Sequence, residues 1–331
     1  MYHKHFIRSF LLLLVCISVI TSSCKNKDTA TVPDIPTIGT AAAGNTQATV
    51  SFTAPINNGG SAITGYTVTS SPGGLMGTGS ASPVTVTGLT NGTAYTFTVT
   101  ATNAHGTSLA SSASNSITPF ATVTDFDGNV YSTVTIGTQV WMKENLRTTT
   151  YSNGTPITLV SDKLSWAALG TSSKAYCWYT GNFYYKNIYG ALYTWTAAMN
   201  GAASSNAIPS GIQGVCPTGW HLPSNNEWTT LTTYLGGTNI AGGQLKEIGF
   251  THWESPNTGA TNETGFTALP TGMQTSIGIC ASYGLVGYWW SSTDVNGACA
   301  LYRTMSNTNG AVFNDSFFVK HCGFSVRCLK D

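Results

Sequence analysis

An all-β sandwich, followed by a second domain of short strands and two helices, is the fold class this sequence predicts, on three observations. Residues 47–101 alternate apolar and polar positions in short runs separated by Gly, Asn and Pro clusters, the period of half-buried strands. Two later stretches carry helical spacing instead. Between these patterns, near residue 120, composition changes: aromatic residues rise, and Cys177, Cys216, Cys280, Cys299, Cys322 and Cys328 all lie beyond it.

The chain begins with the three parts of an export signal. Lys4 and Arg8 make a positive start, residues 11–20 are apolar, and Thr21, Ser22 and Ser23 are small residues ahead of Cys24. The apolar run is shorter than the roughly 20 residues that span a bilayer, so residues 1–23 read as a cleaved signal peptide. The small-residue stretch ending in cysteine resembles the lipobox of bacterial lipoproteins of the Bacteroidetes type, with Thr21 where an aliphatic residue is usual. That resemblance implies lipid on Cys24 and a membrane as partner. Residues 24–35 then form a polar tether, and the expected location is the outer membrane, on the cell surface or the periplasmic face.

Cleavage would remove Lys4 and Arg8 and no acid, leaving 12 basic against 13 acidic residues. A near-neutral chain without basic clusters offers no footprint for nucleic acid. Charged residues are only 8% of the chain, against about 25% in ordinary domains. Aromatic residues reach 11%, enough to build cores rather than a disordered segment.

In the first domain, residues 47–53 alternate around Val50 and Phe52, residues 63–69 around Tyr66 and Val68, and residues 94–101 through Tyr95, Phe97 and Val99. The stretches VSFTAP, ITGYTV and VTGLTNGTAYTFTVTATNAHG resemble a fibronectin type III domain over residues 36–119. Leu89 followed by Tyr95 matches that family's tyrosine corner, and Phe52 stands where a Trp is usual. The resemblance implies a spacer and display domain without chemistry.

In the second domain, residues 123–141 read as a hairpin with its turn at residues 125–129 (DFDGN). Asp, Gly and Asn explain a tight turn there, while a calcium loop would want Glu at position 136, which is Ile136. Residues 189–199 place Leu192, Trp195, Thr196 and Met199 on one helical face. Residues 224–235 start with Ser224 and Glu227 in capping-box spacing, and Trp228, Leu231 and Leu235 line a face. No cysteine pair has zinc spacing, so the expectation is no metal and no cofactor, with the even set of six forming disulfides.

Six segments occur in order: residues 124–148, YGALYTW, VCPTGWHLPSNNEWTTL, ETGFTALPTG, YWWSST and GFSVRC. Together they resemble the Fibrobacter succinogenes major paralogous domain, over residues 122–331. That family is in turn similar to the C-type-lectin-like and formylglycine-generating-enzyme superfamily, through its Gly-Trp-x-Leu-Pro segment at residues 219–228. The resemblance implies an α+β C-type-lectin-like domain whose ends lie together, and hence a Cys216–Cys328 bridge. Cys299 and Cys322 lie on adjacent candidate strands and could pair, which would leave Cys177 with Cys280; counting alone does not fix these two pairs.

Function narrows by chemistry. An enzyme of the formylglycine-generating type needs specific cysteines or a histidine-based metal site, and only His252 stands beside an acid, Glu254. A calcium-dependent lectin needs paired carboxylate motifs, which residues 254–257 and 313–315 match poorly. The favoured reading is a non-catalytic binding or adhesion module for polysaccharide or protein, using loops such as 200–214 and 255–262. Its candidate contacts are Trp178, Tyr179, Tyr184, Tyr185, Trp289 and Trp290, with one ring of the tandem tryptophans expected outside.

Overall fold

A computed structural model describes residues 30–331. The expected signal peptide, Cys24 and the first part of the tether lie outside the described residues. Among the described residues no helix is long and apolar enough to cross a membrane.

The first domain is an all-β sandwich. One sheet pairs Gln47–Thr53 between Thr37–Gly44 and Val84–Thr87, all antiparallel. The other holds Met76–Gly79, Ile63–Ser71, Thr96–Asn103 and Gly106–Thr107 in that order. Alternation puts Val50 and Phe52 from one sheet against Tyr66, Val68, Phe97 and Val99 from the other in a single core. Phe52 fills the expected aromatic position, its ring 4.7 Å from that of Tyr66. The tyrosine corner closes as expected: the backbone N–H of Thr90 donates to the Tyr95 hydroxyl at 3.1 Å.

One edge departs from simple alternation. Ser108, Ser111 and Ser114 donate backbone N–H groups to the carbonyls of Ala101, Val99 and Phe97. Their hydroxyls accept from the N–H groups of those same three residues, each at 3.0 Å. Three residues of this segment therefore span two of the strand, a repeated bulge that protects the sheet edge without a regular partner.

The second domain is mostly β. Its five-stranded sheet runs Trp220–His221, Leu329–Lys330, Gln139–Met142, Val130–Ile136 and Thr122–Thr124, so the last strand lies between segments from the start and the middle of this domain. The expected single hairpin over 123–141 is two: one turn at 125–129 and a second at Gly137, which takes φ 60°. A second sheet pairs Val286–Asp294, Ala300–Ser306 and Val312–Asp315.

Helix Asn225–Tyr234 forms where the capping box predicts it. Glu227 accepts from the Ser224 N–H at 2.8 Å, and the Ser224 hydroxyl accepts from the Glu227 N–H at 3.2 Å. The other expected helix, over 189–199, is absent as such. Gly190 adopts φ 75° and ψ −165°, where a Cβ would lie 2.6 Å from the Leu146 carbonyl oxygen. Leu192–Tyr193 is strand, and Thr194 caps a separate short helix, Trp195–Ala198. Helix Thr238–Leu245 was not expected, because Gly242 and Gly243 are poor helix formers. They are needed there: a Cβ would sit 2.3 Å from the Ala311 and Gly259 carbonyl oxygens respectively.

Two aromatic cores flank the strand Val286–Asp294. Trp290 packs at 4.2 Å on Phe324 in one, and Trp289 lies with Trp141, Trp228 and Phe266 in the other. Both tandem tryptophans are therefore 0% exposed, correcting the expectation that one faces outward. Pleating sends them to opposite faces, as expected, but both faces are covered.

Candidate functional site

The motif segments converge on one buried side chain. Asn145 donates its amide to the Tyr189 carbonyl at 3.0 Å and to the hydroxyls of Thr271 and Ser325 at 3.2 Å. Its carbonyl accepts from Trp289 Nε1 at 2.9 Å and from Arg327 Nη2 at 2.8 Å. Arg327, fully buried, also donates to the carbonyls of Met142, Lys143 and Phe266. Burial pulls its pKa down to about 9, with Glu144 opposing. Five of the six motif segments thus meet at one buried hydrogen-bonded hub. They specify the scaffold.

The sixth segment is joined covalently and by charge. Cys216 and Cys328 form a disulfide across a sequence separation of 112. Nearby, buried His221 places Nε2 2.9 Å from Glu227 and Nδ1 2.7 Å from Asp331. Burial alone lowers the imidazole pKa, but the hydrogen bonds and charges of Glu227 and Asp331 outweigh it, and the net shift is upward. Two carboxylates facing both ring nitrogens favour the imidazolium.

A folded pKa above the unfolded value of about 6.5 gives stability that is fully present below that value. It is lost as pH rises through the folded pKa. The unfolding midpoint is therefore expected to fall between mildly acidic and mildly alkaline pH, with a shallower fall in His221→Gln. Thermal unfolding of both proteins across that range checks this; parallel profiles would contradict it.

Asp125 and Asp127 are occupied as turn residues. Asp125 accepts from the Asn129 backbone N–H, its side-chain amide and the Tyr131 hydroxyl, while Asp127 accepts from Thr148 and Thr149. Among the described residues no group of three or more His, Cys, Asp or Glu is placed to hold a metal. His252 bonds Glu247, at 2.8 Å, rather than the adjacent Glu254. Asn257, from the segment compared with lectin carboxylate motifs, is buried with its amide donated to the Glu247 and Gly249 carbonyls.

The four remaining cysteines, expected as Cys177–Cys280 and Cys299–Cys322 bridges, are free thiols in the structure. Cys177 is buried beneath the segment that follows it, and Cys322 sits in the larger core. Burial, and then the neighbouring Cys280, raises the Cys177 thiol well above the ordinary range. Burial likewise pushes Cys322 up to about 11.

What remains open to a ligand is an aromatic ridge. The turns Tyr179–Gly181 and Phe183–Tyr185 and the short helix Lys186–Tyr189 carry it. Asn182 starts its second turn by accepting from the Tyr184 N–H at 2.9 Å. Phe183 is 64% and Tyr184 71% exposed, and Tyr185 is half-buried behind them. Of the six expected contacts, Trp178 and Tyr179 are buried as the base, and Trp289 and Trp290 belong to the cores.

Tyr283, 100 residues or so away in sequence, completes the ridge. It stacks on Tyr179 at 5.1 Å, and the Tyr189 hydroxyl donates to its hydroxyl at 3.1 Å. Lys186 Nζ stands 5.4 Å from the Phe183 ring centroid. Burial pushes Tyr179 up to about 12, and Cys280, Tyr283 and Tyr185 add to the rise. Tyr189 is also raised, by burial first and by its bond to Tyr283 second. Both phenols stay neutral at physiological pH. Nothing in the sequence marks Tyr283 as a partner of the 178–189 cluster.

Comparison with known proteins gives two family matches: the Fibrobacter succinogenes major domain over residues 134–330 and the fibronectin type III domain over residues 34–117. Among curated proteins nothing matches. Similar solved structures include titin kinase with its flanking domains, at 29% identity over 27% of this chain and 18% of that one, TM-score 0.25. Titin domains A168–A170 are 30% identical over 26% and 32% of the two chains, with TM-score 0.25. The FN1–FN3 domains of chicken CNTN1 are 21% identical over 33% and 40%, again with TM-score 0.25. The chain spans well under half the length of each.

Proposed function

Since the chain belongs to the Fibrobacter succinogenes major domain family, with a fibronectin type III domain ahead of the matched region, we propose that it is a non-catalytic extracellular binding module. It is held at the outer membrane by lipid on Cys24 and contacts polysaccharide through the ridge around Tyr184. The observation that carries this reading is the exposure of Phe183 and Tyr184 on a base of buried, mutually packed rings. Flat apolar faces held rigid, with phenol hydroxyls at their margins, suit the faces and hydroxyls of sugar rings. Side chains already fixed by their neighbours lose little entropy on binding.

A non-catalytic role agrees with the chemistry of the reactive groups. Burial holds the Cys322 thiol protonated, and His221 has both nitrogens engaged by carboxylates. A C-type-lectin-like arrangement for the second domain is supported by the pairing of Gln139–Met142 and Trp220–His221 with the final strand Leu329–Lys330.

Retention of the mature chain on a panel of insoluble polysaccharides tests the reading. Phe183→Ala/Tyr184→Ala is expected to weaken retention roughly tenfold, from about 0.5–1.5 kcal/mol per aromatic contact. Its melting temperature should be nearly unchanged, because both rings are exposed. A chelator should not alter retention. Equal retention of the variant, or no retention of the native protein on any polysaccharide, would count against the proposal.

The anchor has its own test. Cys24→Ala is expected to move the protein from the membrane fraction to the soluble fraction of cells. Unchanged sedimentation with membranes would remove lipid on Cys24 from the account.

A further inference from the structure

Two segments far apart in sequence build the ridge, and each carries a cysteine at its root. Cys177 ends the strand Ala175–Cys177, immediately before Trp178 and Tyr179. Cys280 begins the strand Cys280–Ala281, just before Tyr283. The two share one small cluster, in which Cys280 packs against a core containing Cys177, Tyr179 and Leu192. Both also line one cavity of about 260 Å³, together with Trp178, Thr180, Gln274 and Gly278. The Thr180 N–H donates to Cys280 Sγ at 3.1 Å, so that sulfur lies directly under the turn that follows Cys177. The Cys280 thiol in turn donates to Gln274 Oε1 at 2.8 Å.

We propose that Cys177 and Cys280 are a covalent modification site, closing to a disulfide that clamps the two halves of the aromatic ridge once the protein meets a small-molecule or protein disulfide oxidant. Cys280 is only partly buried and lines the cavity, whereas Cys177 is buried, so Cys280 meets the oxidant first. Its thiolate attacks the oxidant's S–S bond, making a mixed disulfide and releasing one thiol. Cys177, buried alongside, then attacks Cys280 Sγ and expels the second thiol. The pair of cysteines loses two protons and two electrons, and the oxidant is reduced to two thiols. Cys216–Cys328 shows that a disulfide already belongs to this domain.

The existing contacts make the clamp informative. Without it the halves meet through Tyr179 on Tyr283, the Tyr189–Tyr283 hydrogen bond and the Thr180–Cys280 bond. A covalent link at the base would hold Tyr179 and Tyr283 stacked even when the surface is unoccupied.

Incubation of the full-length protein with oxidised glutathione, followed by peptide mapping without reductant, tests this. The expected result is a cross-linked peptide pair containing Cys177 and Cys280, with loss of both thiols from alkylation. Cys177→Ala should instead leave Cys280 carrying glutathione. A native protein in which Cys280 keeps glutathione while Cys177 stays alkylatable, or in which either pairs elsewhere, overturns the proposal. Because the readout is a peptide mass, it is independent of polysaccharide retention: either proposal can fail without the other.

Discussion

Asn145→Ala is expected to cost about 3–5 kcal/mol of folding stability, the range for stripping a partner from a buried charge. The replacement leaves Trp289 Nε1 without its acceptor and removes both Arg327 bonds to the Asn145 carbonyl, at 3.1 and 2.8 Å. Arg327 is fully buried, so water cannot substitute for the missing oxygen. The Tyr189 carbonyl and the hydroxyls of Thr271 and Ser325 lose a donor as well. Urea unfolding monitored by tryptophan fluorescence measures the effect. A loss below about 1 kcal/mol, the worth of one ordinary hydrogen bond, would show that the hub does not hold the domain together.

The second large effect belongs to the disulfide. Cys216→Ala/Cys328→Ala removes a bridge across a sequence separation of 112, and the loop-entropy estimate for such a closure is about 4–5 kcal/mol. The bridge joins the segment preceding Trp220–His221 to the residue just before the final strand, so its loss leaves the edge of the five-stranded sheet held by strand pairing and side-chain contacts alone. The midpoint of urea unfolding should fall accordingly, while the fibronectin-type domain, with its separate core, should unfold as before. A variant as stable as the native protein would mean that the hub and the His221 contacts suffice to hold the last strand.

How much of this was legible in the sequence depends on the range of the interaction. The sandwich was readable because alternation is local: Val50, Phe52, Phe97 and Val99 each occupy a core position that period two assigns. The helix after Ser224 was readable because its signal, Ser and Glu three apart, is also local. The 189–199 segment misled because helical spacing of Leu192, Trp195 and Met199 is equally met by residues filling two cores, Leu192 from a strand in the smaller and Trp195 and Met199 from a short helix and its end in the larger. Gly190 was the local sign against it.

Composition does not say where the few charges lie in a chain with 8% charged residues. Several lie inside: Arg303, Arg327, Lys246 and Glu227 are all buried. Lys246 donates to three backbone carbonyls, those of Thr258, Ser306 and Asn309, tying loops that have little secondary structure. Long side chains with several donors do work here that regular hydrogen-bond ladders do elsewhere. No sequence period announces such a role.

The proposed ridge was legible by half. The cluster of rings after residue 176 contains its exposed turn, with Tyr184 exposed and Tyr185 half-buried on it. Trp178 and Tyr179 became its base, because a row of aromatics can project outward only if some of them fill the space beneath. Tyr283 was invisible because its partnership depends on the path of a loop through Gly284, which takes φ 74° beside Glu254.

Hydroxyl-radical footprinting of the chain, with and without the polysaccharide that retains it, tests most directly whether the motif segments make the scaffold and the ridge makes the contact. Ligand-dependent protection of Phe183, Tyr184 and Tyr283 is expected, with Trp289 and Trp290 unreactive in both states. Protection concentrated in loops 200–214 or 255–262, with the ridge unchanged, would contradict it.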